Sequence, residues 1–226
     1  MFNIVKKLRK TKLVLFYRKL LHLFYAFKFN VPKSSIIQIA DTTRGNRHPD
    51  LFHFCQEQLK NKRGLKILSF GCSTGEESFS LREYFPDASI FGCDINRKSL
   101  SIAQKNNTDD NIKFFLSNED NLLKNGPFDL IFALSVLCKE PECRVVADIA
   151  KIFPFQLFNT ITESLDTVLN NNGLLVIRNS NYMFEDTISF KNYECLFSSK
   201  NQFPVFDKKG HKKDLPEKRC EIFKKK

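Results

Sequence analysis

From residue 65 onward the apolar positions change their spacing in a regular rhythm. "LKILSF" (65–70) is an unbroken apolar run of strand length, while "EESFSLREYF" (76–85) spaces Phe79 and Leu81 among polar residues as a helix does. "ASIFGCDI" (88–95) and "RKSLSIAQKN" (97–106) repeat the alternation as a second strand and a second helix. "IKFFL" (112–116) and "FDLIFAL" (128–134) predict strands three and four. "FQLFNTITESLDTVLN" (155–170) puts Phe158, Ile161, Leu165, Val168 and Leu169 on one helical face. Asn172-Gly173 is expected to end that helix, and "LLVIRNS" (174–180) is a fifth strand. Strands alternating with helices predict an α/β fold: a doubly wound, mainly parallel sheet covered on both faces. After residue 180 "YECLF" and "RCEIF" predict a short antiparallel C-terminal portion, with a turn at Lys-Gly in "FDKKGHKKD" between them.

Ahead of the alternating region, "RHPDLFHFCQEQLKNKRG" reads as a helix opened by proline and closed near Gly64. Earlier still, Leu13, Phe16, Tyr17, Leu20, Phe24 and Phe27 recur at helical spacing, and "NVPKSS" follows as a linker. The expected division is a basic amphipathic helical extension over residues 1–33 and a single α/β domain over 34–226. Charge sharpens this division. Residues 1–33 carry nine Lys or Arg and no acid, residues 208–226 carry nine bases against three acids, and the formal total is +11. The body between is therefore mildly acidic and the two ends basic, a pattern that suits anionic partners such as a membrane surface or nucleic acid. Arg18, Lys19 and Lys28 interrupt the longest apolar stretch, so no spanning helix or secretory signal is expected. Seven cysteines, odd in number and without paired spacing, point to a reducing, cytoplasmic setting and to small core residues. Zinc is not expected, because Cys138 and Cys143 have no second ligand pair.

The chemistry concentrates at the end of the first strand. Gly71 and Gly75 in "SFGCSTGEES" let backbone approach a ligand closely. Neither a G-x-G-x-x-G nor a G-K-[ST] ending is present. Glu76 and Glu77 would repel a pyrophosphate from the helix start, whereas an ammonium or sulfonium would be attracted. Asp94, closing the second strand, is placed to accept hydrogen bonds from ribose hydroxyls. These features together ask for a nucleoside with an amino-acid tail and no phosphates.

"ILSFGCSTGEES", "FGCDIN" and "GPFDLIFALSVL" resemble the class I S-adenosylmethionine-dependent methyltransferases, and "SFGCSTGEE" is most similar to the chemotaxis-receptor type. The resemblance covers about residues 64–180 and implies a Rossmann-like fold with S-adenosyl-L-methionine as cofactor. It places the methionine part on the turn Gly71, Cys72, Ser73 to Gly75, the ribose on Asp94 and the adenine beside Ile95 and Asn118. It lets Ala133, Leu134 and Ser135 line the methyl and acceptor pocket. Ser69 stands where the wider family often has an acid, which moves the ammonium partner to Glu76 or Glu77.

The acceptor is less legible. "FALSVLCKEP" holds no N-P-P-Y and no Pro-Cys pair, so the reading is methyl transfer to an oxygen or nitrogen of an unidentified acceptor. Arg44, Arg47 and His48 precede the domain in "TTRGNRHPD" and suit an anionic acceptor or the cofactor carboxylate; His48 could also serve as a general base. A purely structural Arg-rich loop is the competing reading. A second hypothesis keeps the fold but not the catalysis, as a module whose basic ends bind nucleic acid or membrane. For the basic N-terminal segment the readings are a lipid-facing helix or one packed on the domain. Co-sedimentation with anionic vesicles, comparing the full chain with one starting at Ser34, separates them. Loss of binding in the shorter chain identifies the lipid-facing helix, and negligible binding by both excludes it.

Overall fold

The computed structural model describes residues 44–226 and, before them, Leu20 alone. The basic helix expected over residues 4–28 and the boundary at residue 33 lie outside the described residues. Helix α1 (Pro49–Leu59) precedes a repeating unit of β1 (Lys66–Phe70), α2 (Glu76–Tyr84), β2 (Ser89–Asp94), α3 (Arg97–Asn106) and β3 (Ile112–Leu116). There follow α4 (Glu119–Asn125), β4 (Phe128–Leu134), α5 (Phe155–Thr167), β5 (Leu169–Arg178), β6 (Tyr193–Ser199) and β7 (Arg219–Lys225). The seven strands form one sheet in the order β3-β2-β1-β4-β5-β7-β6. Strands β1 to β5 are parallel, and β7 and β6 continue the sheet antiparallel. The expected doubly wound, Rossmann-like sheet with its antiparallel C-terminal edge is therefore present.

Strand periodicity sorts the core into two layers. Along β4, Leu130, Phe132 and Leu134 face a cluster with Leu51, Phe52 and Cys55 of α1 and Leu81 and Tyr84 of α2. Ile131 and Ala133, the alternate residues, face the opposite cluster with Leu122 of α4 and Phe158 and Leu165 of α5. Every residue of β4 is buried, as a central parallel strand covered on both faces must be. The chain winds outward from β1 through β2 to β3, then returns to place β4 on the other side of β1. That reversal opens a crevice beyond the carboxyl ends of β1 and β4.

Three local expectations are corrected. First, α5 stops at Thr167, and Asn172-Gly173 does not end it. Asn172 takes φ 62° inside β5, where the pairing with β4 shifts from Phe128↔Leu169 to Leu130↔Leu174 and the extra residues of β5 bulge out. Second, Glu119–Asn125 is helical where no element was expected, started by Asn118, whose Oδ1 accepts the Asn121 N–H at 2.8 Å. Third, Cys195 and Cys220 form a disulfide joining β6 to β7, against the expectation of unpaired thiols; Cys55, Cys72, Cys93, Cys138 and Cys143 are free and buried as expected.

One ion cluster ties the two parts of the sheet to α1. Glu221 of β7 is 1% exposed and accepts from Arg178 Nε and Nη2, at 3.0 and 2.7 Å. The same guanidinium donates to both Asp50 oxygens, at 3.0 and 2.8 Å. Replacing one partner strands the other charge in the interior. Arg178→Met is expected to cost about 3–5 kcal/mol in urea unfolding. Adding Glu221→Gln should return a large part of that loss, and a double variant no more stable than Arg178→Met would show that the charge pair is not the cause.

Candidate functional site

The turn after β1 is bound to the end of β2. Gly71 N–H and Cys72 N–H both donate to the Cys93 carbonyl, at 2.8 and 3.0 Å, and Gly75 N–H closes the turn on the Cys72 carbonyl at 3.0 Å. Gly71, Ser73 and Gly75 take φ of 78°, 50° and 97°, so the chain reverses in the left-handed region. A Cβ on Gly71 would lie 2.4 Å from Val136 Cγ2, because the loop after β4 packs directly on the turn. The glycine thus serves the approach of two segments as well as the turn's conformation.

Carboxylates stand at both ends of this turn. Asp94 accepts the Ser73 N–H on Oδ2 at 2.9 Å and the Asn96 N–H on Oδ1 at 2.8 Å, so it braces the turn it adjoins. Glu76 accepts from Thr74 Oγ1 at 2.7 Å. Glu77 accepts from Ser69 Oγ at 2.7 Å. Burial pushes the Glu77 carboxyl up to about 7, although the Ser69 hydrogen bond and the Arg47 charge act in the opposite direction. Ser69 is therefore the hydroxyl that orients Glu77.

The remaining expected residues arrive from β2, β3 and β4. Ile95 is half-buried beside Asp94. Asn118 is exposed and uses Oδ1 to cap α4, so that oxygen is already engaged. Ala133 and Leu134 pack into the two cores, and Ser135 is the first residue of the three to reach the surface. Ser135 takes φ 59°, donates its N–H to the Arg178 carbonyl at 2.8 Å and accepts from Asn179 Nδ2 at 2.9 Å.

The loop ahead of α1 leans over the same region. Asn46 N–H donates to Ser80 Oγ at 2.8 Å, and Tyr84 Oη donates to Asn46 Oδ1 at 2.7 Å. His48 and Asp50 are held by Arg178, while Arg44 is exposed. Sequence reasoning missed Arg178, Asn179 and Val136. A lone arginine closing a buried apolar strand was the available signal for Arg178. Among the described residues there is no group of three or more His, Cys, Asp or Glu placed to hold a metal, and no helix long and apolar enough to cross a membrane.

Residues 61–224 match a family model described as a methyltransferase domain, which spans the whole sheet and this turn. The chain belongs to that family. A curated relative, the release factor glutamine methyltransferase of Flavobacterium psychrophilum, is 28% identical over 149 residues, covering 58% of this chain and 51% of that protein. The chain thus spans about half the length of the curated relative it matches. Among solved structures, TehB from Haemophilus influenzae aligns with TM-score 0.50 and 16% identity over 79% of this chain and 62% of that one. WbdD aligns with TM-score 0.50 and 17% identity over 81% of this chain and 40% of that one. At such identities the structural likeness concerns the fold.

In this methyltransferase domain the raised Glu77 carboxyl makes stability depend on pH. Its folded-state value, about 7, exceeds its ordinary value, so the protonated form is favoured by folding. That contribution is complete below the ordinary carboxylate range and is lost as pH rises through about 7. Urea unfolding between roughly pH 4.5 and 8 should show the parent chain losing stability relative to Glu77→Gln over this window. Parallel curves for the two chains would exclude a raised Glu77.

Proposed function

We propose that the protein transfers the methyl group of S-adenosyl-L-methionine to an oxygen or nitrogen of an acceptor. The observation that carries this reading is the turn itself, held between the carboxylates of Asp94 and Glu77, which would repel a pyrophosphate and attract an ammonium. The residues fit the cofactor on charge grounds: Glu77, oriented by Ser69 and buried enough to hold its proton, gains a partner when an ammonium lies beside it. Asp94 would take the ribose hydroxyls, with Ile95 and Asn118 toward the adenine, and the backbone of Gly71, Cys72, Ser73 and Gly75 would pass beneath the methionine part. The similarity of "SFGCSTGEE" to the chemotaxis-receptor type supports this placement of the ammonium.

When bound, the cofactor supplies a sulfonium methyl group open to in-line displacement. The chain's task is to align the acceptor and exclude water. Ser135, fixed by Asn179 and by the Arg178 carbonyl, would border the acceptor at the end of β4. A base is required only if the acceptor must lose a proton before attack.

Calorimetric titration with S-adenosylhomocysteine is expected to show binding. Asp94→Ala should weaken it by roughly 1.5–3 kcal/mol, the worth of hydrogen bonds to a charged group, with part of the loss arising from the unbraced turn. Absence of binding by the parent chain at millimolar ligand would reject the proposal. Because an ammonium beside Glu77 displaces its proton, affinity should also rise with pH through about 7 and flatten in Glu77→Gln.

A further inference from the structure

The outer pair of strands is irregular at one place. β6 and β7 keep a constant register through Tyr193↔Lys225, Glu194↔Lys224 and Cys195↔Phe223, and return to it at Ser198↔Cys220 and Ser199↔Arg219. Between these stretches Phe197 pairs with Ile222, and the register skips Leu196 on β6 and Glu221 on β7. A bulge of this kind re-aims a side chain away from the direction that strict alternation gives it. On β7 the residue at the bulge is Glu221, the buried carboxylate of the ion cluster.

Two sets of contacts hold this segment. Cys195 adjoins Leu196, Cys220 adjoins Glu221, and a disulfide joins the two cysteines with their Cα atoms 6.0 Å apart. Past the bulge, Ser199 Oγ and Asn201 Nδ2 donate to the two Glu221 oxygens, at 2.8 and 2.9 Å. Arg178 Nη2 also reaches Ser199 Oγ, at 3.3 Å. β6 is the last strand of the sheet, and among the described residues it pairs with β7 alone. How well Glu221 is held therefore depends on how firmly β6 is kept on β7.

The bridge is placed for exchange. Cys195 is exposed and Cys220 half-buried, so a thiolate from solution can reach the Cys195 sulfur. The other five cysteines are buried thiols, and burial pushes Cys93 and Cys143 up to about 12, far from the thiolate form that reacts.

We propose that the Cys195–Cys220 bridge is a reversible redox clamp on the bulge, and that its reduction frees β6 and loosens Glu221, Arg178 and the end of β4. In the reducing step a glutathione thiolate attacks Cys195 Sγ, the S–S bond breaks, and Cys220 leaves with the electron pair as a thiolate. A second glutathione thiolate attacks the glutathione sulfur of the mixed disulfide, which releases Cys195 as a thiolate and forms glutathione disulfide. The electron pair lost by the glutathione sulfurs is gained by the bridge, and the protons they gave up end on Cys195 and Cys220. The loosening passes from Glu221 to Arg178, whose carbonyl accepts the Ser135 N–H at 2.8 Å. An effect on catalysis rests on the methyl-transfer reading, in which Ser135 borders the acceptor; the clamp itself does not.

The full chain is equilibrated in glutathione buffers from fully oxidised to fully reduced, denatured, and its thiols trapped with a maleimide for mass spectrometry. Five cysteines should be trapped in the oxidised chain and seven in the reduced one, with the midpoint inside the span of these buffers. A bridge that survives reduced glutathione alone would be purely structural and would overturn the proposal, as would seven trapped thiols throughout. Hydrogen exchange on the two forms, with no ligand present, reads the transmission. Amides of β6 should exchange at least about tenfold faster in the reduced chain, because closing a loop of this span stabilises by more than that factor. The Ser135 amide should also exchange faster, and a Ser135 amide indifferent to reduction would overturn the proposal. Faster exchange throughout, β1 and β2 included, would show that the bridge supports the whole fold and would reject a local clamp. The double variant Cys195→Ser/Cys220→Ser should match the reduced chain and ignore glutathione; a persisting response would assign the effect to the buried thiols and reject the clamp. If S-adenosylhomocysteine binds neither form, the methyl-transfer reading falls, while the exchange data still decide the clamp.

Discussion

A carboxylate buried on β7 requires a cation, and Arg178 supplies it. Glu221 is shut away from water, so the guanidinium at the end of β5 is drawn against it, and the same group then has donors left for Asp50 and His48. One electrostatic requirement thereby joins the antiparallel edge of the sheet, the parallel strands and the loop ahead of α1. The backbone of the same arginine receives the Ser135 N–H, which fixes the end of β4. Buried ion clusters are often weak sources of net stability, yet they hold geometry firmly because breaking one partner is so unfavourable. Here that firmness lies where several elements must meet.

The glycine turn is held by a different kind of contact. Two amide groups share the Cys93 carbonyl, and Val136 occupies the space that a side chain on Gly71 would need. β1, β2 and the loop after β4 are consequently in contact through backbone and one valine. Ser69 and Glu77 add a polar pair within reach of the turn. The family relationship accounts for the domain, and these particular residues account for how this member builds its version of the site.

The parallel sheet was legible because its strands are continuous apolar runs and its helices are periodic; β3, β4 and α3 fall on the residues that the pattern indicated. The turn was legible because glycine spacing and paired acids report local chemistry. Helix α4 was missed because "EDNLLKN" is short and mostly polar, and its start depends on the Asn118 cap. Asn172-Gly173 was misread because such a pair ends helices and also makes bulges, and only pairing with β4 distinguishes the two. Arg178 and Glu221 are far apart in sequence, so no local pattern could reveal their contact. The Cys195–Cys220 bridge was hidden for the same reason.

The order of the strands also bears on how the site comes into being. Ile67 of β1 pairs with Leu130 of β4, so the seam beneath the turn joins segments that are distant along the chain. Parallel pairing of this kind gains nothing until the long intervening loop has been closed, and it raises the contact order of the fold. The antiparallel pair β6 and β7 joins strands that follow one another in the chain, whereas the crevice beside β1 and β4 has no such local route. It exists only when most of the domain has already folded, which makes binding at that crevice a report on global, cooperative folding and not on any local fragment.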